Sequence, residues 1–375
     1  MNKIQMVDLR SQYEKIREEV NAGIQEVIDT TSFIKGGKVV DFQKDLEKYL
    51  NVKHVIPVAN GTDALQIALM VLDLKPGDEV ILPTFTFIAT AEVVALLGLT
   101  PVLVDVEYDT FNISIDSLKK AITPKTKAIV PVHLFGQNAN MDAILEIAKE
   151  NNLFVVEDAC QSIGSEYIFK DGLKMHSGCM GEIGCTSFFP SKNLGCFGDG
   201  GAIFTNNDEL AARIRATANH GMVVRYYHDF VGVNSRLDSI QAAVLEVKLK
   251  HLDEYIANRQ FAASYYNKAF SNNKKLITPG LNTNSTHVFH QYTLKLVDVD
   301  RAELIKHLES KGIPAMIYYP VPLHLQKAYQ DERYGQGAFP VAEKLCESVV
   351  SLPMHTELTF EQLEFITKSV LEFVG

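Results

Sequence analysis

The chain alternates between short apolar runs of strand length and longer segments whose apolar residues recur every three or four positions. The apolar runs cover residues 54–59, 79–83, 100–106, 127–134 and 153–159. Val, Ile and Leu fill these runs almost continuously, which is typical of strands that are buried on both faces. We therefore predict an α/β fold with a mostly parallel sheet that is covered by helices.

After residue 159 the alternation changes. Two further strands, 186–189 and 201–205, follow without a full helix between them, and a long helical pattern starts at Ser239. From about Asn273 onward, strand patterns (291–299 and 314–319) mix with helices. This division predicts a large domain over 1–250, with residues 1–30 free to pack elsewhere, and a smaller α+β domain over 251–375.

The net charge and the apolar stretches of the chain disfavour several classes of function. The formal net charge is -10 and no Lys/Arg run stands out, which disfavours a nucleic-acid or anionic-membrane surface. The N-terminus lacks the apolar region of a signal peptide. The longest apolar stretch, 91–106, is interrupted by Glu92, Gly98, Pro101 and Asp105, so it does not predict a membrane span. We expect a soluble, cytoplasmic protein.

The five cysteines predict neither a disulfide framework nor a metal site. Their number is odd and they are scattered along the chain. Cys179, Cys185 and Cys196 lie close in sequence, but they form no C-x-x-C pair and His176 is the only imidazole nearby. We therefore expect buried or incidental thiols and no bound metal.

The ends of the predicted strands carry polar groups, and ligands of open α/β sheets bind outside these carboxyl ends. The turn 60–63 opens a helix, where free amides favour a phosphate; simple capping by Thr62 or Asp63 is the alternative. Asp158 and Gln161 follow the fifth strand. An acid at such a place can merely begin a loop, but here we expect Asp158 to face a ligand and Glu157 to point outward.

Lys192 stands out among the lysines because its neighbours are apolar, small or turn-forming, as in TSFFPSK, and a glycine-rich stretch (195–201) follows. A partly desolvated lysine has a lowered pKa and can form Schiff bases. A phosphate site, an aromatic segment at 84–87, a carboxylate and a reactive amine at one sheet edge suit pyridoxal 5′-phosphate (PLP).

Nine short motifs occur along the chain in a fixed order. They are ANGTDAL, PTFTFIAT, PVHLFGQ, EDACQSIG, TSFFPSKNLG, GDGGAIFT, HG at 220–221, VGVNSRLD and YYPVPL. In this order they resemble the DegT/DnrJ/EryC1/StrS sugar aminotransferases, and the resemblance extends over nearly the whole chain. It implies a fold-type-I PLP-dependent transferase, similar to aspartate aminotransferase, and a homodimer with active sites at the interface.

The resemblance also implies roles for individual residues. Lys192 would bind the cofactor covalently, Asp158 would pair with its pyridine N–H, Gln161 would contact the ring hydroxyl side and Phe87 would stack on the ring. The phosphate would be bound by the backbone around Gly61, Thr62 and Asp63, by Ser187, and by Asn234 of the other subunit. Without the family, Asn234 would be interpreted as a turn asparagine.

Within the family, the motifs most resemble enzymes that aminate C3 of UDP-2-acetamido-2-deoxy-3-keto-glucuronic acid in O-antigen synthesis. L-Glutamate would be the donor and 2-oxoglutarate the product. Arg236 would meet the sugar carboxylate, and Tyr318 and Tyr319 would contact the substrate. These enzymes tend to carry histidine where this chain has Tyr318, so other UDP- or dTDP-linked 3- or 4-keto sugars stay open as acceptors.

Two other classes of function remain as alternatives. A non-catalytic PLP-binding regulator would keep the fold and lose the acceptor pocket, whereas Lys192, Asp158 and Arg236 are all present here. A nicotinamide dehydrogenase would need G-x-G-x-x-G after the first strand, where this chain has VANGTDAL. Dehydratase relatives carry histidine in place of the lysine, which Lys192 argues against.

Overall fold

The computed structural model describes residues 3–375 as an α/β protein. The strands are β1 (His54–Val58), β2 (Glu79–Pro83), β3 (Thr100–Val104), β4 (Thr126–Ile129), β5 (Phe154–Asp158), β6 (Glu166–Ile168), β7 (Lys174–His176), β8 (Ile183–Ser187), β9 (Gly201–Thr205), β10 (Met222–Val224), β11 (Tyr227–His228), β12 (Leu276–Ile277), β13 (Tyr292–Leu296) and β14 (Val349–Leu352). The helices are α1 (Leu9–Asp29), α2 (Gly37–Leu50), α3 (Gly61–Met70), α4 (Ala89–Leu96), α5 (Ile115–Ala121), α6 (Met141–Asn151), α7 (Asp208–Thr217), α8 (Ser239–Lys250), α9 (Leu252–Phe270), α10 (Arg301–Ser310), α11 (Pro340–Ser348) and α12 (Phe360–Val374).

Seven strands form the main sheet in the order β1-β9-β8-β5-β4-β2-β3. Strand β9 runs antiparallel to both of its neighbours, and the other pairs are parallel. The prediction of a mostly parallel sheet is therefore confirmed. Strand β4 is shorter than its apolar run because Pro131 has no N–H to donate; the pairing resumes as a single bridge between Val132 and Asp158.

Both faces of the sheet are buried, as the continuous apolar runs predict. In β2, Val80 and Leu82 belong to one core cluster and Ile81 belongs to another. The side chains of a strand alternate between its two faces, so helices must cover both sides. This arrangement leaves the carboxyl edge of the sheet as the place where strand ends and loops meet.

The C-terminal part contains a second, three-stranded antiparallel sheet in the order β12-β13-β14. The strand predicted over 314–319 is wrong: only Met316 forms a bridge, to Ser351. Beyond it Tyr318 and Tyr319 turn away and pack with Phe85, which lies just after β2. Aromatic packing, rather than pairing along the sheet edge, holds this segment in place.

The long helical pattern that starts at Ser239 is two helices, α8 and α9, separated at His251. Helix α1 packs against α8 through Ile16, Val20 and Val244. The domain boundary between residues 250 and 251 stays a prediction. None of the helices within residues 3–375 combines the length and the hydropathy needed to cross a membrane.

Candidate active site

A cavity of about 580 Å³ opens at the carboxyl edge of the main sheet. Strands β1, β2, β5 and β8 run toward this edge, so the residues that follow them converge on the cavity. The residues named from the sequence that line it are Gly61, Thr62, Phe87, Asp158, Gln161, Ser187, Lys192, Tyr318 and Tyr319. The structure thus brings together an amine, a carboxylate, aromatic rings and a helix N-terminus.

The N-terminus of α3 is pressed against the end of β8. A Cβ atom at Gly61 would lie 2.7 Å from Cβ of Ser187 and 3.0 Å from Sγ of Cys160, so only glycine fits there. Asn60 caps the helix by accepting a hydrogen bond from the Asp63 amide at 2.8 Å. The Asp63 amide is therefore already engaged, and Asp63 is not among the described residues that line the cavity. The first amides of α3 and the Ser187 hydroxyl, which we call the anion-binding corner, are groups that can donate hydrogen bonds to an anion.

Asp158 ends β5 with its carboxylate facing the cavity. The hydroxyl of Thr90 donates to Oδ2 at 2.8 Å, and the amide of Cys160 donates to Oδ1 at 3.2 Å. These contacts hold the carboxylate in one orientation. Thr90 was missed in the sequence analysis, although it lies three residues after Phe87 in the segment that opens α4.

Glu157 does not point outward, so that expectation is wrong. Its side chain is fully buried on the face opposite to Asp158 and contacts His133. A strand alternates its side chains, so two successive acids must face opposite sides; the side away from the cavity is protein interior here, not solvent.

Lys192 lies on the loop that joins β8 to β9 and is half-buried in the cavity wall. Its backbone amide donates to the Phe189 carbonyl at 2.8 Å. Burial lowers the pKa of the Lys192 amine, and the nearby Cys160 and Asp158 oppose that shift in pKa. An amine with a lowered pKa is more readily neutral, which is the form that attacks a carbonyl or accepts a proton.

Aromatic residues and Gln161 close the cavity on another side. Gln161 accepts a hydrogen bond from the Phe135 amide at 2.9 Å and donates to the Tyr319 hydroxyl at 3.1 Å. Through these contacts Gln161 fixes two nearly parallel rings, with an interplanar angle of 19°. Phe87 is 54% exposed at the cavity mouth.

Two cavity-lining residues that the sequence analysis missed carry buried polar atoms without a hydrogen-bond partner in the described chain: Thr86 Oγ1 and His290 Nδ1. Burial lowers the pKa of His290 well below its usual value, so the imidazole is neutral. Unpaired buried polar atoms are costly in a folded protein, and a ligand in the cavity can supply partners for them.

Asn234 and Arg236 lie outside this cavity. Asn234 is exposed and pairs with Asn219 through a backbone bridge. Arg236 lines a separate cavity of about 230 Å³ together with Lys35 and Arg215. Within one subunit, the structure therefore does not bring these two residues to the amine and the carboxylate.

The residues that line the cavity have the chemical groups that PLP requires. Lys192 can hold its aldehyde, Asp158 can hold its ring nitrogen protonated, and the α3 N-terminus with Ser187 can bind its phosphate. The tight approach of Gly61 to Ser187 keeps the first amides of α3 close to the Ser187 side chain, as a site for a small anion such as phosphate requires. Within residues 3–375, no three or more His, Cys, Asp or Glu side chains are grouped as metal ligands.

Comparison with known proteins gives a consistent result. A family model described as the DegT/DnrJ/EryC1/StrS aminotransferase family matches residues 14–371. A UDP-2-acetamido-2-deoxy-3-oxo-D-glucuronate aminotransferase of Pseudomonas aeruginosa is 45% identical over 97% of this chain and 98% of its own length. A UDP-N-acetyl-3-dehydro-alpha-D-glucosamine 3-aminotransferase of Acidithiobacillus ferrooxidans is 44% identical over 96% of this chain and 95% of its own length. A pleiotropic regulatory protein of Geobacillus stearothermophilus is 44% identical over 99% of this chain and 98% of its own length.

Solved structures agree with these relatives. DesV of S. venezuelae, in complex with a ketimine intermediate, superimposes with a TM-score of 0.95 at 38% identity, covering 100% of this chain and 99% of its own. A Bacillus subtilis protein with bound cofactor PMP superimposes with a TM-score of 0.91 at 33% identity, covering 100% and 86%. The fold is therefore shared over its full length.

Proposed function

The chain belongs to the DegT/DnrJ/EryC1/StrS aminotransferase family, and from this premise we propose that it uses PLP to move an amino group from L-glutamate to a nucleotide-linked keto sugar. We infer that the acceptor is UDP-2-acetamido-2-deoxy-3-keto-glucuronic acid, aminated at C3. The observation that carries the proposal is the convergence of Lys192, Asp158 and the α3 N-terminus on one cavity.

Each residue has a defined task. When bound, PLP supplies a carbonyl carbon for amine exchange and a ring that takes up negative charge. Lys192 Nζ would hold the cofactor and, as a free amine, would accept a proton from the substrate carbon and return it. Asp158 keeps a proton on the ring nitrogen. The first amides of α3 and the Ser187 hydroxyl bind the phosphate, and Phe87 and Tyr319 shield the ring from water.

A second copy of the chain would complete the site. Asn234 and Arg236 lie outside the cavity of their own subunit. The hairpin before them (222–228) carries three large, mostly exposed side chains, Val223, Tyr226 and Tyr227, whose exposed fractions are 69%, 76% and 69%. Exposed apolar side chains of this size are typical of interfaces. We propose a homodimer in which Asn234 reaches the phosphate and Arg236 reaches the sugar in the partner subunit's cavity.

Subunit mixing tests the shared site. Lys192→Ala subunits and Asn234→Leu subunits should each be inactive alone, and mixed dimers should regain activity, because one of their two sites holds both intact residues. Subunit exchange is monitored separately with differently tagged chains. If exchange is complete and no activity returns, the site is self-contained.

The acceptor is tested with separate half-reactions. The aminated form of the enzyme is mixed with a UDP-linked 3-keto-uronic acid and with the matching 3-keto-glucosamine, which has a hydroxymethyl group in place of the carboxylate. Loss of a paired charge costs a few kcal/mol, so Arg236→Leu should reduce kcat/KM for the uronic acid by about a hundredfold or more. The reaction of the neutral sugar should change little.

Arg215→Leu is the matched control, because Arg215 lines the same small cavity as Arg236. It should leave both half-reactions near the wild-type rate. Equal losses on both acceptors in Arg236→Leu would refute the uronic-acid assignment, while the aminotransferase proposal would stand.

The relative named a pleiotropic regulatory protein supports a second candidate, a PLP-binding regulator. It would take up the cofactor and bind the amino donor without transferring the amino group onward. This candidate would be favoured if the donor converts the protein completely to its aminated form and no UDP- or dTDP-linked keto sugar converts it back.

A further inference from the structure

The second acid of the EDACQ segment lies in a buried hydrogen-bond network behind the active site. Glu157 is 0% exposed, and its Oε1 accepts from the amides of Met180 and Gly181, both at 2.6 Å. Its Oε2 accepts from the Gly178 amide at 3.0 Å and from His133 Nε2 at 2.8 Å. A buried carboxylate with four donors is fully satisfied, and the removal of any one donor would disturb the rest.

The tautomer of His133 follows from its other contact. The Ala139 amide donates to His133 Nδ1 at 3.1 Å, so Nδ1 is an acceptor and carries no proton. The proton of the neutral ring is therefore on Nε2, which donates to Glu157. Each ring nitrogen thus has one defined role, and the imidazole has only one orientation that satisfies both.

The same segments hold the backbone of Asp158. The amide of His133 donates to the Asp158 carbonyl at 3.0 Å, and the amide of Asp158 donates to the Pro131 carbonyl at 2.9 Å. The His133–Glu157 contact joins these two segments a second time, from the opposite face of the sheet. The backbone hydrogen bonds set the position of Asp158 along its neighbouring segment. The Glu157–His133 contact fixes the orientation of residues 131–133 relative to the end of β5.

The loop after His133 carries a second part of the cavity wall. The bond from Ala139 to His133 closes this loop on itself, and within it lies Phe135, whose amide donates to Gln161. A shift of the imidazole would therefore be passed to the Asp158 carboxylate and to the Phe135 ring. Both line the cavity.

We propose that His133 and Glu157 are positioning residues, which act through Asp158 and set the angle of its carboxylate toward the ring nitrogen of the cofactor. The inference rests on the proposed PLP-dependent function. Neither side chain lines the cavity, so neither touches substrate. Groups that support a catalytic residue must hold it closely, because errors of about 0.5 Å reduce its effectiveness.

The experiment compares three variants of the full-length protein. His133→Leu removes the donor to Glu157, whereas His133→Gln keeps an N–H donor at a similar reach. His307→Leu is the matched control: the Nε2 of His307 also has one defined partner, the Ser369 carbonyl at 3.1 Å, but His307 lies on α10 and does not line the cavity.

In His133→Leu, kcat should fall about ten- to a hundredfold, as is typical when a supporting partner of a functional group is removed. KM for the donor should be unchanged, and the pH at which the absorption of the bound cofactor changes should shift. His133→Gln should restore much of both. The control should match the wild type in kcat and in the absorption titration, whatever stability it loses.

Two results would overturn the inference: a His133→Leu protein with wild-type kcat and absorption titration, or equal losses in His133→Leu, His133→Gln and the control. If His133→Leu does not fold, nitrogen-15 NMR of the wild type decides. The His133 ring should show a proton on Nε2 alone, and its signal should move when cofactor binds; an unmoved signal would refute the coupling to Asp158. A wild-type protein that takes up no PLP would instead refute the proposed function itself.

Discussion

The anion-binding corner can be tested by adding a single methyl group. In Gly61→Ala the new Cβ would lie 2.7 Å from Cβ of Ser187, where ordinary contacts begin near 3.4 Å. Helix α3 and the end of β8 must therefore separate by several tenths of an ångström. Overpacking of this kind costs about 1–3 kcal/mol of unfolding free energy.

The same separation moves the Ser187 hydroxyl away from the first amides of α3, so a bound phosphate can no longer contact both sides well. Loss of one hydrogen bond to a charged group costs about 1.5–3 kcal/mol, which corresponds to about 10- to 150-fold weaker cofactor binding. The dissociation constant of PLP is measured by absorption or fluorescence titration of the apoprotein.

Gly37→Ala is the matched control. Gly37 also begins a helix, α2, but nothing lies within 4 Å of a Cβ placed there. This variant should bind PLP like the wild type, with a stability equal to or slightly above it. If Gly61→Ala bound PLP with wild-type affinity despite normal folding, the corner between α3 and β8 would not be the phosphate site.

Three further predictions concern the amine, the acid and pH. Lys192→Ala should retain PLP through the phosphate corner but lose turnover, and borohydride followed by peptide mapping should find the cofactor on Lys192 only in the wild type. Asp158→Asn should bind PLP nearly normally but lower kcat at least about a hundredfold, because an amide cannot keep the ring nitrogen protonated. Burial lowers the pKa of His287 to about 3 and that of His355 to about 4, so unfolding lets both rings take up protons below their usual pKa of 6.5. Stability should therefore fall as pH drops from about 6.5 toward 4, by up to about 1.4 kcal/mol per pH unit for each histidine, and urea unfolding of His287→Gln should show a shallower dependence.

The sequence was sufficient for the main sheet and for the composition of the cavity. Strand β2 matches its apolar run residue for residue, because a strand buried on both faces leaves an unbroken hydrophobic signal. The cavity residues could be found because parallel strands end at one edge, where polar residues after each strand must meet.

The two wrong predictions, an outward-pointing Glu157 and a strand over 314–319, have separate causes. Three of the four partners of Glu157 are the backbone amides of Gly178, Met180 and Gly181, and a backbone amide leaves no trace in the sequence. The segment 314–319 has a strand-like composition, but its aromatic residues pack with Phe85 and Phe135 in the loops beyond the main sheet instead of pairing. Asn234 and Arg236 lie outside the cavity of one chain, and their approach to the cavity of a second copy stays a prediction.

The position of β9 has a consequence for the order of events during synthesis. Strand β1 pairs only with β9 in the described chain, so Val58 must wait for Gly201 to leave the ribosome. At about 5–20 residues per second this delay is on the order of ten seconds. Until then β1 is an unpaired edge and the turn at Asn60 and Gly61 has no Gly201 to pack against, so we expect that the nascent chain cannot bind its cofactor. The enzyme should therefore acquire PLP only as a nearly complete large domain, and a chain arrested before residue 201 should be a substrate for chaperones and proteases.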